Sequence, residues 1–229
     1  MRKTLYILAA IVVISFIGCG ESEPSKSEGV ITFKTSYPKM ESDNFMLDFM
    51  PEKMVLTFKD NKYKTSLAAG MGMFKLNFII DPEENQFSQT VKLIDKKYIS
   101  TLKDKEITKS INQLPKYTVE HTGKSKKILD YVCEEVIITV GNEANDAFSA
   151  YYTNRIEIEN PNSTNQFLDI PGVLLEYQYE KYGICMRFEA EEIKFTSIDD
   201  DEFELDKAYS SISESEMDKE MQAIFDSFK

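Results

Sequence analysis

Apolar and polar residues alternate with a period of two in several stretches of the chain, a pattern typical of strands with one buried face. The clearest stretches are 73–80, 173–180 and 184–195. One-sided strands of this kind indicate an antiparallel sheet, because strands of parallel sheets are usually buried on both faces. Their predicted buried residues are Phe74, Leu76, Phe78 and Ile80; Val173, Leu175, Tyr177 and Tyr179; and Ile184, Met186, Phe188 and Ala190, continued by Ile193 and Phe195.

Turn-forming residues divide the rest of the chain into shorter strands. Asp60 and Asn61 predict a two-residue hairpin between strands 54–59 and 62–68. Polar or proline- and glycine-containing breaks lie at 81–85, 95–97, 141–142, 160–162, 170–172 and 181–183. Between them, the pattern predicts further strands at 87–94, 98–102 and 128–140.

Three segments show helical spacing instead, at 42–50, 105–114 and 213–228. The last is the strongest prediction, because Ser213 and Glu216 match a capping box. Its apolar residues follow at helical intervals: Met217, Met221, Ile224, Phe225 and Phe228. We therefore expect one α+β domain, an antiparallel sheet partly covered by a few helices.

The amino terminus has the pattern of a bacterial lipoprotein signal peptide. Arg2 and Lys3 precede an apolar run at 5–17, and the run ends in Gly18-Cys19, which resembles a lipobox. We expect cleavage after residue 18, attachment of acyl chains such as palmitate to Cys19, a flexible tether at 19–29 and a folded domain at 30–229. An ordinary secretory signal with a chance cysteine, or a retained membrane anchor, are the alternatives.

The charge of the chain restricts its partners. Its 229 residues include 27 basic and 39 acidic side chains, a formal net charge of −12. Nucleic-acid binding requires a basic surface, so we expect no nucleic-acid partner. Anionic membrane surfaces would also repel the domain, and we therefore expect attachment to the outer membrane through acyl chains alone.

Several short motifs resemble those of secreted Bacteroidota proteins of the domain-of-unknown-function 4412 and GLPGLI type. They are 29–33 (GVITF), the Met-rich segment 50–54, 127–133 (KILDYVC) and 170–177 (IPGVLLEY), with Asp130 at the family's usual glycine. That group is similar to the lipoprotein-carrier (LolA/LolB-like) fold. The resemblance implies a curved antiparallel β-sheet, an unclosed half-barrel, with helices covering its concave face. It offers no catalytic residue.

Two cysteines remain once Cys19 carries lipid. Cys133 and Cys185 form an even pair in an oxidising compartment, which favours a disulfide. The alternative is two separate buried thiols. No metal site or cofactor is expected, because the acidic run 199–202 lacks the ligand spacing of a calcium loop.

Methionine and phenylalanine are concentrated in two segments, 45–50 and 68–74. Methionine fills irregular apolar spaces and lines adaptable binding surfaces. We expect these segments to border an apolar pocket of roughly 300 Å³ between sheet and helices, although packing within an ordinary core is the alternative. The expected rim and cavity residues are Phe45, Met46, Phe49, Met50, Met71, Met73 and Phe74.

These patterns favour a non-enzymatic envelope lipoprotein that binds a hydrophobic or lipid-like ligand. A structural lipoprotein that interacts with an envelope protein partner, without a small-molecule ligand, is the alternative. We expect a monomer. With a single histidine in the chain, His121, a catalytic thiol would have no oriented base.

Overall fold

Strands account for most of the regular structure. The computed structural model describes residues 26–141 and 147–226, and within them twelve strands form one sheet. The strands are β1 (Glu28–Ser36), β2 (Lys53–Lys59), β3 (Lys62–Ala69), β4 (Phe74–Asp81), β5 (Gln86–Leu93), β6 (Lys96–Lys103), β7 (Tyr117–Ile128), β8 (Tyr131–Val140), β9 (Ala147–Thr153), β10 (Val173–Lys181), β11 (Ile184–Phe195) and β12 (Ser210–Ser211).

Two helices accompany the sheet in this part of the chain, α1 (Lys105–Ile111) and α2 (Glu214–Asp226). Short 3₁₀ turns occupy Phe45–Phe49, Gly70–Gly72 and Asp200–Phe203. The predicted helices at 105–114 and 213–228 are confirmed over most of their length. Residues 227–229, which include Phe228, lie outside the described residues, as does the whole segment 1–25 with Cys19.

Two meanders joined side by side make the sheet. Its strand order is β12-β6-β5-β4-β3-β2-β1-β11-β10-β9-β8-β7, so β1 and β11 form the seam between them. All ladders are antiparallel except the short pairing of β12 with β6. The sheet is one large unclosed antiparallel sheet with helices on one side, as expected for the α+β class.

Tight turns set the register of the first meander. At the β2–β3 hairpin, Asp60 and Asn61 both have positive φ angles, 48° and 72°. Two such residues form the turn type whose twist matches that of the flanking strands, and Asn and Asp tolerate it well. The predicted two-residue hairpin is confirmed.

A bulge in β11 keeps its apolar residues on one face. Thr32 pairs with Glu192, but Phe33 pairs with Ala190, so Glu191 is the extra residue. An inserted residue reverses the alternation of side chains beyond it. This is why Ile193 and Phe195, at odd positions, continue the face that begins at even positions.

The three apolar strand faces predicted from the sequence share one side of the sheet. Their residues pack in a single core cluster together with α2, whose Met217, Met221, Ile224 and Phe225 are buried there. Phe74 meets Phe225 edge to face, with ring centroids 6.3 Å apart. We call this side the helix-covered face.

Several sequence predictions differ from the structure. The strand predicted at 128–140 is confirmed over Tyr131–Val140 as β8, but it begins three residues late. Ile128 still belongs to β7, and Leu129, with a positive φ of 51°, turns the chain between the two strands. The helix predicted at 42–50 is only the 3₁₀ turn Phe45–Phe49, capped by Asn44. Phe45 and Phe49 are exposed there, so that segment gains little from burying an apolar face.

The folded region begins slightly earlier than predicted. Glu28 and Gly29, assigned to the tether from the sequence, already belong to β1 and pair with β2. No helix within the described residues combines the length and apolar character needed to cross a bilayer.

Candidate ligand cavity

An apolar cavity of about 170 Å³ lies between the helix-covered face and the elements that cover it. The sheet contributes side chains of β2 to β6, β10 and β11. The cover consists of α1, α2, the loop that precedes β10 and the connection between β1 and β2. Six sheet residues illustrate the apolar character of its wall: Leu67, Leu76, Phe78, Phe87, Met186 and Phe188.

Helix α1 closes one side of the cavity. Its Ile107 and Ile111 are four residues apart and therefore lie on the same helix face, toward the cavity. Ser110 donates a hydrogen bond to Glu214, which ties α1 to the first turn of α2. This contact joins elements about a hundred residues apart and holds the two helices over the sheet.

The loop between β9 and β10 closes the other side. The buried side chain of Asn162 donates hydrogen bonds to the carbonyls of Ile170 (2.8 Å) and Gly172 (3.0 Å). These bonds fold the loop back on itself and carry Phe167 into the core. The Phe167 ring meets that of Tyr177 edge to face, at 5.8 Å.

Tyrosines form much of the inner wall. Burial raises the pKa of Tyr177 and of Tyr179 above its ordinary value, so both phenols stay neutral at physiological pH. Burial also raises the pKa of Tyr37. The Tyr177 hydroxyl faces Met54 Sδ at 3.8 Å, a weak acceptor. The cavity is therefore lined by large rings that carry no charge.

A polar strip crosses this apolar wall on β5 and β6. Gln89 and Ser100 pair across the two strands, and both side chains are buried against the cavity. Thr65 of β3 adds a further hydroxyl to the lining.

Acidic side chains lie at the contact between α2 and the β10–β11 hairpin. Glu214 and Asp218 line the cavity, and the Tyr182 hydroxyl donates to Asp218 Oδ1 at 2.6 Å. Lys181 Nζ lies 3.6 Å from the same oxygen. Burial, followed by the hydrogen bond to Asp218, raises the pKa of Tyr182. This part of the wall carries more negative than positive charge.

A second, more polar pocket of about 440 Å³ adjoins the first. The two pockets share Ile80, Ile107, Ile111 and Thr164 in their walls. The second pocket lies at the end of the sheet where the chain enters β1, since Asp60 in the adjacent hairpin bonds to Ser27. The sequence had placed the border of the pocket at the opposite end.

The structure places the seven expected cavity residues in different environments. Met50 and Phe74 are buried and line the cavity. Met46 is half-buried in the 3₁₀ turn. Four side chains are exposed instead, at the end of the sheet away from the start of β1: Phe45, Phe49, Met71 and Met73.

Sequence reasoning missed several lining residues. Gln89 was overlooked because β5 is mostly polar, with Ser88, Gln89 and Thr90 in succession, so its sequence does not show which face is buried. Phe167 and the α1 isoleucines come from irregular or short segments, whose position depends on contacts distant in sequence. The alternation of 173–180 did identify Tyr177 and Tyr179 as inward-facing.

The predicted disulfide is wrong. Cys133 on β8 and Cys185 on β11 are both buried but are not bridged to each other. Strands β9 and β10 lie between them, and three strand spacings of about 4.8 Å exceed the roughly 7 Å that a disulfide can span. Burial raises the pKa of the Cys133 thiol to about 11. The alternative of two separate buried thiols describes the structure.

The acidic run 199–202 forms a 3₁₀ turn that contacts the sheet. Lys59 Nζ donates to Asp200 Oδ1 at 2.7 Å, and Lys64 pairs with Glu202. The hydrogen bond from Lys59 lowers the pKa of the Asp200 carboxyl. Within 26–141 and 147–226, no group of three or more histidine, cysteine or acidic side chains is arranged to hold a metal ion.

No family model and no curated protein matches the chain. Among solved structures, PNGF-II is similar over 86% of this chain, with a TM-score of 0.51 and 16% sequence identity. The chain spans only 32% of the length of PNGF-II. At this level of identity the likeness concerns the fold alone.

Proposed function

We propose that this protein is an envelope lipoprotein that binds a small hydrophobic or lipid-like ligand in the cavity beneath α1 and α2, without catalysing a reaction. The single observation that carries the proposal is that cavity of about 170 Å³, walled by aromatic and aliphatic side chains. Cavities of about 150 Å³ with apolar walls can hold a benzene-sized molecule.

The energetic cost of empty space supports a use for this cavity. Residual volume in a closed core destabilises a protein by about 24 cal/mol per Å³, so about 4 kcal/mol is the upper bound for this partly open cavity when it is empty. A bound ligand would supply the missing contacts and offset that cost. We infer that such a ligand enters from the adjoining polar pocket, because Ile80, Ile107 and Ile111 line both spaces.

The lipoprotein part of the proposal comes from the sequence. Attachment through acyl chains at Cys19 would anchor the protein to the outer membrane, with the start of β1 facing that surface. The second pocket lies at the same end of the sheet. A ligand leaving the membrane would then meet the polar pocket before the apolar cavity.

A fluorescent apolar probe tests the binding proposal. We expect N-phenyl-1-naphthylamine, whose three rings would fill the cavity and extend into the adjoining pocket, to bind with a large rise in emission. Thr65→Phe should weaken that binding at least tenfold by filling the cavity. Thr65 is half-buried in the cavity wall, so the larger ring would project into existing space.

The matched control is Thr118→Phe, because Thr118 is exposed on the edge strand β7. It should leave probe binding unchanged. Equal binding by both variants, or no binding by the unaltered protein, would contradict the proposal.

A second candidate function, docking of an envelope protein partner, is favoured by a different surface. The end of the sheet away from the start of β1 exposes Met71, Met73 and Ile94, and Ile94 bonds to the backbone of Met73. Beside it, Lys75, Lys92 and Lys97 lie directly opposite one another on β4, β5 and β6. Like charges in register destabilise a sheet, and an acidic partner would relieve that repulsion.

Site-specific cross-linking in cells tests this candidate. A photoreactive side chain at Met71 should capture a discrete partner, whereas the same side chain at exposed Glu120 on β7 should not. Identical patterns from both positions would remove the candidate.

A further inference from the structure

Two polar groups in the cavity wall, the Tyr63 hydroxyl and the Gln89 amide, lack the hydrogen-bond partner that their burial requires within the described part of the chain. Gln89 lies on β5 between Phe78 of β4 and Ser100 of β6, and it is only 6% exposed. Its amide approaches the Tyr182 hydroxyl, yet Nε2 forms no hydrogen bond of acceptable length and angle within the described part of the chain.

Such a group is costly to bury. A donor removed from water without a new acceptor loses its hydration and gains nothing in exchange. The neighbouring lining residues on β4 and β5, Phe78 and Phe87, show that apolar side chains fit this wall. A leucine at position 89 would avoid the cost, so the amide has a use if a ligand supplies the missing partner.

We propose that the ligand of this cavity carries one neutral hydrogen-bonding group, a hydroxyl or a carbonyl, which pairs with the Gln89 amide while its apolar body fills the aromatic part of the cavity. This inference rests on the proposed function. A primary amide offers both a donor and an acceptor, so it can serve either group.

The charges around the cavity exclude an anionic group at this position. Glu214 and Asp218 belong to the same wall, and Lys181 is engaged by Asp218. A carboxylate or phosphate next to them would be both desolvated and repelled. The ligand class is therefore a compact, uncharged amphiphile rather than a fatty-acid anion.

Three matched ligands test the inference. Propylbenzene, 4-propylphenol and 4-propylbenzoate share one apolar body and differ in a hydroxyl or a carboxylate, and each can displace N-phenyl-1-naphthylamine. We expect 4-propylphenol to bind about as well as propylbenzene or better, and 4-propylbenzoate to bind at least tenfold more weakly than the phenol.

The Gln89→Leu variant then isolates the amide. Its affinity for propylbenzene should stay within about twofold of that of the unaltered protein. Its affinity for 4-propylphenol, relative to that for propylbenzene, should fall roughly tenfold, because one hydrogen bond is lost. The variant should also melt at a higher temperature without ligand. Gln178→Leu, on β10 with its side chain on the opposite face of the sheet, is the control and should leave the ratio unchanged.

The outcomes separate this inference from the proposed function. If the probe and propylbenzene bind but the ratio is the same in the Gln89→Leu variant, the hydrogen-bonding role is wrong and the cavity is simply apolar. Tight binding of 4-propylbenzoate would likewise overturn the choice of a neutral group. If neither the probe nor propylbenzene binds, the proposed function fails, and this inference fails with it.

Discussion

Individual side chains in this protein are governed by what surrounds them rather than by their residue type. Gln89 and Cys133 are both buried, yet one lines a cavity and the other lies in packed core. The same holds for the methionines: Met50 lines the cavity, whereas Met71 is fully exposed. Composition therefore identified the right residue types but could not assign each one to the interior or the surface.

The two thiols give a prediction at this scale. In a Cys19→Ser variant, unfolding in denaturant without reductant should release two reactive thiols per chain, because Cys133 and Cys185 are not bridged to each other. In the native protein at pH 8, Cys133 should react very slowly, since it is buried and its pKa is raised to about 11. Thiol titration with Ellman's reagent measures both quantities. Fewer than one reactive thiol per unfolded chain would show that the two cysteines form a disulfide after all.

At the scale of elements, α2 depends on the capping box that the sequence predicted. Ser213 Oγ accepts a hydrogen bond from the Glu216 backbone N–H at 3.3 Å, and the Glu216 carboxylate accepts one from the Ser213 backbone N–H at 2.9 Å. A Ser213→Ala variant should lose about 1 kcal/mol of unfolding free energy, as is usual for an N-cap. Urea denaturation followed by circular dichroism measures this, and an unchanged midpoint would contradict it.

The capping box of Ser213 and Glu216 also makes the free energy of unfolding depend on pH. Hydrogen bonds from the Ser213 hydroxyl and then its backbone N–H lower the pKa of Glu216 from its ordinary value of 4.5. A lowered native pKa means that the stabilisation is complete above pH 4.5 and is lost as the pH falls through the native value. Glu216→Gln can cap without titrating. We expect the free energy of unfolding of Glu216→Gln, relative to that of the unaltered protein, to increase as the pH falls from 6 to 3. Parallel plots of unfolding free energy against pH for the two proteins would contradict this.

The strands illustrate which elements a sequence can reveal. β10 and β11 were predicted because apolar and more polar residues alternate along most of each sequence, even though Leu174, Glu176 and Cys185 are buried on the second face. β7 was not predicted, since it is an edge strand with few buried side chains and its alternation is weak. The loop that carries Phe167 could not be predicted, because Asn162 fixes it through bonds to backbone that precedes β10.

For the whole molecule, the seam between β1 and β11 is the decisive junction. It joins the two meanders and brings together parts of the chain about 160 residues apart. Gly29 lies in this seam, where an added Cβ would come within 2.4 Å of the Lys194 carbonyl oxygen. The seam therefore requires the smallest side chain at that position.

Substitution of Gly29 tests the seam. Gly29→Ala should lower the free energy of unfolding by about 1–3 kcal/mol, because the strands must separate locally to admit the methyl group. Ser36→Ala, at the other end of β1, should have a much smaller effect. Chemical denaturation of both variants measures the difference, and equal stability would show that the seam can adjust without cost.

The central claim is that the cavity under α1 and α2 holds a small uncharged amphiphile. Native mass spectrometry of the protein, purified gently from the cells that produce it, tests this claim most directly. We predict a population whose mass exceeds that of the denatured protein from the same sample by one small neutral molecule, and this population should be depleted in the Thr65→Phe variant. A single mass equal to that of the denatured protein, in the unaltered protein as in the variant, would contradict the account.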